Sequence, residues 1–144
     1  MAESTVFKSM LPIQVRFSDV DRMGHVSNTV YQNYFDSGKV HYFDQVMPDL
    51  DFISIGVVGA SIHIDYLKPI FMKTRIRVKS RVAGLGHKSF TMEHQLVNEE
   101  TGQVMATCSA VMVCYAIQEQ VSIPVPDHWR TAILAYDHGV AVKQ

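Results

Sequence analysis

Between residues 55 and 116 the chain is written almost entirely in strand-length segments, and that run limits what it can fold into. The segments are 55–67, Lys73–Val82, Lys88–Val97 and Gln103–Ala116. In the first, Ile62, Ile64 and Tyr66 fall on one face and His63, Asp65 and Leu67 on the other. That is the alternation of a strand. Gly84-Leu85-Gly86 and Asn98-Glu99-Glu100-Thr101-Gly102 are turn chemistry, so successive strands are expected to pair as antiparallel hairpins. The fourth segment is apolar on both faces: Val104, Ala106, Cys108, Met112 on one, Met105, Val111, Val113 on the other. It is expected to be buried on both sides and central in its sheet.

A helix precedes this run, from about Asn28 to Met47. Tyr31, Tyr34, Phe35, Gly38, Tyr42 and Val46 form one apolar stripe at helical spacing. Ser27 or Asn28 can cap it and Pro48 stops it. Glycine costs about 1 kcal/mol relative to alanine inside a helix. Gly38 on the buried stripe therefore predicts close approach to a sheet. A short strand, Ile13–Phe17, is expected before the helix. After the last strand, 122–126 reads as extended and Asp127–Ala135 as a short helix. The sum is an α+β arrangement, one long helix on a roughly five-stranded antiparallel sheet. One helix cannot cover such a sheet, so a second copy is expected over an edge or face, at least a homodimer.

The 144 residues, 1–144, suit a single domain. Apolar types at 47% and charged types at 19% argue against disorder. Thirteen basic and 14 acidic residues give a net charge of −1, so no global field draws nucleic acid. No apolar run reaches the roughly 18 residues of a membrane span, so no membrane partner is expected. Met1–Met10 does not read as a signal peptide. Cys108 and Cys114 make no disulfide framework and suit a reducing, cytoplasmic setting.

Chemistry-bearing residues gather at Asp19–Asn28. No dinucleotide, P-loop or nucleophile-elbow pattern occurs, and the seven histidines show no HExxH spacing, so neither metal nor cofactor is expected. The loop sets Asp19, Asp21, Gly24, His25, Ser27 and Asn28 directly before the long helix. A helix N-terminus offers unpaired N–H groups and partial positive charge, which can polarise a carbonyl and hold an oxyanion. A nearby carboxylate can attack the carbon or activate water. Gly24 would let a ligand approach the backbone. The competing reading is that both aspartates only cap turns.

Arg16–Phe35, R-F-S-D-V-D-R-M-G-H-V-S-N-T-V-Y-Q-N-Y-F, resembles the signature of hotdog-fold acyl-CoA thioesterases of the 4-hydroxybenzoyl-CoA thioesterase type. That pattern runs roughly R-x-x-D-x-D-x-x-G-H-V-x-N-x-x-Y-x-x-Y. Ile64-Asp65-Tyr66-Leu67-Lys68-Pro69-Ile70 is similar to the family's Tyr-Leu-Arg/Lys-Pro step. The resemblance covers nearly the whole chain and implies an acyl-CoA thioesterase that makes a free carboxylic acid and CoA. It puts the catalytic carboxylate on Asp21 and the carbonyl-polarising amide near Asn28, with Ser27 beside it. Asp19 becomes a loop brace. His25, Gly24 and Tyr31 become auxiliary, and Tyr31, Tyr34 and Phe35 line an acyl pocket with Val57 and Val58 of the partner subunit. The CoA nucleotide is implied at Gly86, His87, Lys88 and Ser89. Two departures stand out: Ser27-Asn28 replaces the frequent Asn-Asn, and Phe71-Met72-Lys73 replaces Gly-Asp after the proline. A noncatalytic binder of acyl-CoA or acyl-carrier protein is the alternative. A hydratase on the same fold lacks its Asp-His or His-Glu pair here.

Lys73, Arg75, Arg77, Lys79 and Arg81 alternate along one segment, hence on one face. They read either as an attraction for an anionic ligand or as a solvated face that discourages edge pairing. The Gly84–Ser89 turn likewise reads as a phosphate contact or as an ordinary hairpin turn with positive-φ glycines.

Overall fold

A computed structural model describes residues 5–143. The first four residues of the Met1–Met10 segment, and Gln144, lie outside the described residues. The strands are β1 (Ser9–Ile13), β2 (Ile55–Tyr66), β3 (Ile76–Leu85), β4 (Ser89–Asn98), β5 (Val104–Ala116), β6 (Val121–Ser122) and β7 (Ala141–Val142). The helices are α1 (Asn28–Val46) and α2 (Asp127–Tyr136). The main sheet runs β1-β3-β4-β5-β2, all antiparallel, with β6 beside β5 and β7 parallel to β3. The expected α+β arrangement of one long helix on an antiparallel sheet is therefore present, with the two short strands and α2's full ten residues added.

α1 buries Tyr31, Tyr34, Phe35, Gly38, Tyr42, Phe43 and Val46, the predicted stripe plus Phe43. It lies over β1, β3 and β4. Gly38 is the point of closest approach. A Cβ there would sit 2.7 Å from the Ser80 hydroxyl oxygen and 2.7 Å from a Val78 methyl. Both are fixed by β3, so Gly38→Ala must lift the helix. The gain in helix propensity, about 1 kcal/mol, is smaller than the overpacking cost of roughly 1–3 kcal/mol. We expect a net loss of about 1 kcal/mol, read as a lower urea midpoint at unchanged slope.

Two sequence expectations need correction. The first strand is Ser9–Ile13, paired with β3 from Ser80 to Ile76, rather than Ile13–Phe17. As an edge strand it tolerates Pro12. Beyond Ile13 the chain leaves the sheet, and Phe17, in a 3-10 turn, is exposed. The second correction concerns order. β3, β4 and β5 are successive hairpin partners as expected, but β2 pairs with β5, not β3. The Leu67 and Lys68 amides both donate to the Met105 carbonyl, which turns the chain at the foot of β5. Ile70 then buries completely, and its carbonyl accepts the Val26 N–H at the foot of α1. This anchored crossing carries the chain to β3. β5 is interior, between β4 and β2.

β2 is left as the other edge, twelve residues long and mostly exposed. Val58, Ile62, Tyr66 and, just past its end, Leu67 present apolar surface there.

Candidate active site

The loop before α1 is a small pinned hairpin. Val20 and Val26 form a bridge, and the Ser27 N–H donates to the Asp19 carbonyl at 2.9 Å. One step outward, the Asp21 N–H donates to the His25 carbonyl at 2.8 Å. The tip is closed by Asp21 itself: its Oδ1 accepts the Met23 N–H at 2.9 Å and the His25 N–H at 3.2 Å. The Gly24 N–H donates to the Asp21 carbonyl, and Gly24 has φ +81°, the left-handed region where a side chain is strained. Asp21 is exposed, and its Oδ2 makes no hydrogen bond among the described residues. One oxygen thus fixes the carboxylate's orientation.

Asp19 is its opposite. It is buried, and its Oδ2 accepts the Tyr34 hydroxyl at 2.7 Å and the Arg16 N–H at 2.9 Å. Burial, then the Asp19 carboxylate, push the Tyr34 hydroxyl far above its ordinary range. Asp19 ties the loop to α1, as a brace would.

Ser27 occupies the cap position of α1 but its side chain makes no capping bond, so the expected side-chain cap is not formed. The first-turn amides of Asn28 and Thr29 have no intrahelical acceptor. Asp21 stands two residues from the Asp19–Ser27 clasp, about 7 Å of extended chain. A carboxylate with one unpaired oxygen thus lies on a short hairpin whose base is the uncapped N-terminus of α1.

The surrounding side chains hold that opening. The Tyr66 hydroxyl donates to the Asn28 carbonyl at 3.2 Å, and its ring packs edge-on to Tyr31, centroids 4.9 Å apart. Burial raises the Tyr31 hydroxyl, partly offset by a hydrogen bond from the Ile70 backbone. The His25 ring packs edge-on to Phe71 at 4.9 Å, and the two backbones bridge. Tyr66, which opens the Tyr-Leu-Lys-Pro step, and Phe71, two residues past its proline, are contributions that spacing alone does not reveal.

A cavity of about 220 Å³ follows the flank of α1 facing β2 and β5. Gln32, Asp36 and Lys39 form its helix side, and Phe35, His94 and Met112 are among the deeper residues. Neither Asp21 nor Asn28 lines it; Gln32, one turn beyond Asn28, is the nearest link. Of the three aromatics expected in an acyl pocket, Tyr31 and Tyr34 do not line this cavity, and Tyr34 lines a separate one with Asp19 and Asn33. Both are buried inside the chain, the Tyr34 hydroxyl is spent on Asp19, and only Phe35 reaches the cavity.

Gly86, His87, Lys88 and Ser89 form a tight turn at the opposite end of the sheet. The Gly86 N–H donates to the Ser89 carbonyl at 2.7 Å. Neither Gly84 nor Gly86 has positive φ, so the glycines serve closeness rather than handedness. Arg130 of α2 donates to the Gly86 carbonyl and, at 2.9 Å, to the His87 carbonyl. Beside the turn a cavity of about 280 Å³ is lined by Gly84, Gly86, Ser89, Thr91 and Lys143. Arg130 and Lys143 come from the far C-terminal tail and gave no local signal. β3 begins just after the segment bound to the α1 opening and ends at this turn, so its ten residues, roughly 33 Å, separate the two sites within one chain. The structure does not bring Asp21 and Lys88 together in one subunit.

The basic stripe is largely paired. Arg77 and Arg75 approach Glu99 at 3.3 and 3.8 Å. Arg81 is buried, lies 3.4 Å from Glu93 and donates to the His138 carbonyl at 2.7 Å. Among the described residues no group of three or more His, Cys, Asp or Glu is placed to hold a metal ion. No described helix is long and apolar enough to cross a membrane.

A long helix lying on an antiparallel sheet is the hotdog arrangement. The chain belongs to the thioesterase-like superfamily, whose family model matches residues 15–133. Among particular relatives, it is 27% identical over 131 residues to the 1,4-dihydroxy-2-naphthoyl-CoA hydrolase of Synechocystis, covering 87% of this chain and 94% of that one. It is 32% identical to a thioesterase of Thermus thermophilus whose crystal structure holds coenzyme A and Zn, with a TM-score of 0.79 over 90% of this chain and 99% of that one. The PA5185 protein of Pseudomonas aeruginosa superposes with a TM-score of 0.82 at 28% identity, covering 91% of this chain and 92% of that one.

Proposed function

We propose that the protein is an acyl-CoA thioesterase that hydrolyses a CoA thioester to a carboxylic acid and CoA. The observation that carries this is the pinned hairpin, which fixes Oδ1 of Asp21, leaves its Oδ2 without a hydrogen bond among the described residues, and leads directly into the uncapped N-terminus of α1. Superfamily membership and the thioesterase and CoA-hydrolase relatives support it.

The thioester carbonyl oxygen accepts the Asn28 N–H, which steadies the negative charge that develops there. Asp21 acts on the carbon by one of two routes. Its carboxylate attacks, the C–S bond breaks, and water cleaves the resulting anhydride. Alternatively it takes a proton from a water that attacks directly. In both, the CoA thiolate leaves and takes up a proton. Gly24 and His25 keep the loop in register, Ser27 sets the helix opening, and Tyr31 supports it.

The working unit in this reading is a homodimer, or a homotetramer built from it, formed at the β2 edge. β2 is long, exposed and apolar at Val58 and Ile62, which suits pairing with a second β2. Antiparallel pairing about a twofold axis reverses the ends of the sheet, so the partner's Gly86–Ser89 turn stands at the same end as this subunit's Asp21. CoA then reaches from one subunit's helix opening toward the other's turn, where Lys88, Ser89 and Lys143 meet phosphate.

The test is release of free thiol from short, medium, long and aromatic CoA esters. We expect turnover of at least one class at about 1 per second or faster. Tight CoA-ester binding without thiol release across the set would replace this reading with the noncatalytic binder.

A further inference from the structure

The cavity along α1 has a polar floor that the reaction does not use. His94 of β4 is 3% exposed, and its ring lies 5.8 Å from that of Phe35. Alternation places it. Residues 93, 95, 107 and 109 alternate with His94 and Cys108; all six lie along a cleft on the outer face with His63 and Asp65, but of them only His94 and Cys108 also line the cavity beside α1, with the His94 ring against Phe35.

The neighbour of His94 sets its hydrogen-bonding character. Ser80 is its register partner on β3, and the Ser80 hydroxyl oxygen lies 2.7 Å from His94 Nδ1. Ser80 is 1% exposed under Gly38, with His94 its one hydrogen-bond partner among the described residues. A buried hydroxyl proton needs an acceptor, and Nδ1 is the one in reach. The proton of the neutral ring is then on Nε2, which makes no hydrogen bond among the described residues. Burial, and then Lys39, push the imidazole down to about 3, so the ring is neutral at ordinary pH. At the rim, Lys39 and Asp36 pair at 3.3 Å and largely cancel as a selector of charge.

We propose that His94 is a specificity-determining residue: its Nε2–H, at the floor of the α1 cavity, selects an acyl group that carries a hydroxyl or oxo oxygen remote from the thioester. Ser80 is the positioning residue that fixes the tautomer. Phe35, against which the ring lies, is seven residues beyond Asn28, so the oxygen belongs about 10 Å along the helix from the carbonyl. Phe35, Ala110 and Met112 accommodate the apolar stem between them. This inference rests on the proposed thioesterase reading for its geometry, but its test does not require turnover.

The experiment measures binding of two medium-chain S-(oxoalkyl)-coenzyme A thioethers, which cannot be hydrolysed at sulfur. One ends in methyl and its match in a primary hydroxyl. Calorimetry is expected to show the hydroxyl analogue bound about tenfold tighter by the wild-type protein. His94→Phe, which keeps a ring against Phe35, removes that preference while the methyl analogue stays within about threefold. His94→Gln, whose amide can donate from near the Nε2 position, restores part of it. Should His94→Phe fail to fold, Ser80→Ala is expected to narrow the preference by freeing the tautomer. Equal binding of the two analogues by wild type, or a preference that survives in His94→Phe, overturns the proposal. So does failure of both analogues to bind. Selective binding without thiol release from any CoA ester would leave this inference standing and remove the hydrolytic reading alone.

Discussion

Replacing Asp137 by Ala is expected to cost about 3–5 kcal/mol, a large share of the roughly 5–15 kcal/mol that holds a domain together. Asp137 is 4% exposed at the end of α2. Its Oδ2 accepts the Tyr42 hydroxyl from α1 at 2.6 Å and the Val82 N–H from β3 at 2.9 Å. One oxygen thus joins both helices to the sheet, and Ala leaves two buried donors without an acceptor. Tyr42→Phe removes one donor with its bond and is expected to cost only about 1 kcal/mol. Burial, then the Asp137 carboxylate, raise the Tyr42 hydroxyl far above 10. Its folded pKa is above the unfolded one, so its contribution is full below pH 10 and is lost as pH rises beyond it. Urea titrations from pH 7 to 11 should show this alkaline loss in wild type and a weaker one in Tyr42→Phe. An Asp137→Ala protein of wild-type stability would show that the three-way contact carries no weight.

Asp21→Asn should lower kcat at least ~10²-fold on the best CoA ester, the scale of losing a general base or nucleophile. Asn is the informative change because its carbonyl oxygen can still accept the Met23 and His25 amides that Oδ1 now takes. The loop is then kept and the reactive oxygen removed. Asp21→Ala would mix both effects. Asp19→Asn is the contrasting control: the Tyr34 and Arg16 bonds make its main cost stability, about 1–3 kcal/mol, read by melting. Full activity in Asp21→Asn, measured by initial rates at saturating substrate, would take the catalytic role from this residue.

What the sequence makes legible is local. The α1 stripe and its stop at Pro48 read directly, because the buried face repeats with the helix and proline cannot continue it. Gly38 on that stripe announced close approach to a sheet, which the structure makes at Ser80 and Val78. Strand order is non-local. The alternation of β2 is the same beside β3 or β5, and burial of Ile70 under the α1 opening decides between them. At β1, the alternation of Ile13, Val15 and Phe17 looked like pairing, but Val15 is buried beyond the end of the strand and Phe17 faces water. The site divides the same way. Asp21, Gly24 and His25 lie within one turn and could be read together. His94 with Ser80, and Arg130 with the Gly86 turn, join residues far apart in sequence and exist only once the sheet has formed.

The central claim is spatial: a thioester carbon is held between the Asp21 carboxylate and the first amides of α1. A crystal structure of the Asp21→Asn protein with an S-(oxoalkyl)-coenzyme A thioether tests it most directly. The account predicts the ketone oxygen about 3 Å from the Asn28 nitrogen and the ketone carbon within roughly 3.5 Å of the residue 21 side chain. A ketone bound away from the α1 opening, with residue 21 facing solvent, would contradict it.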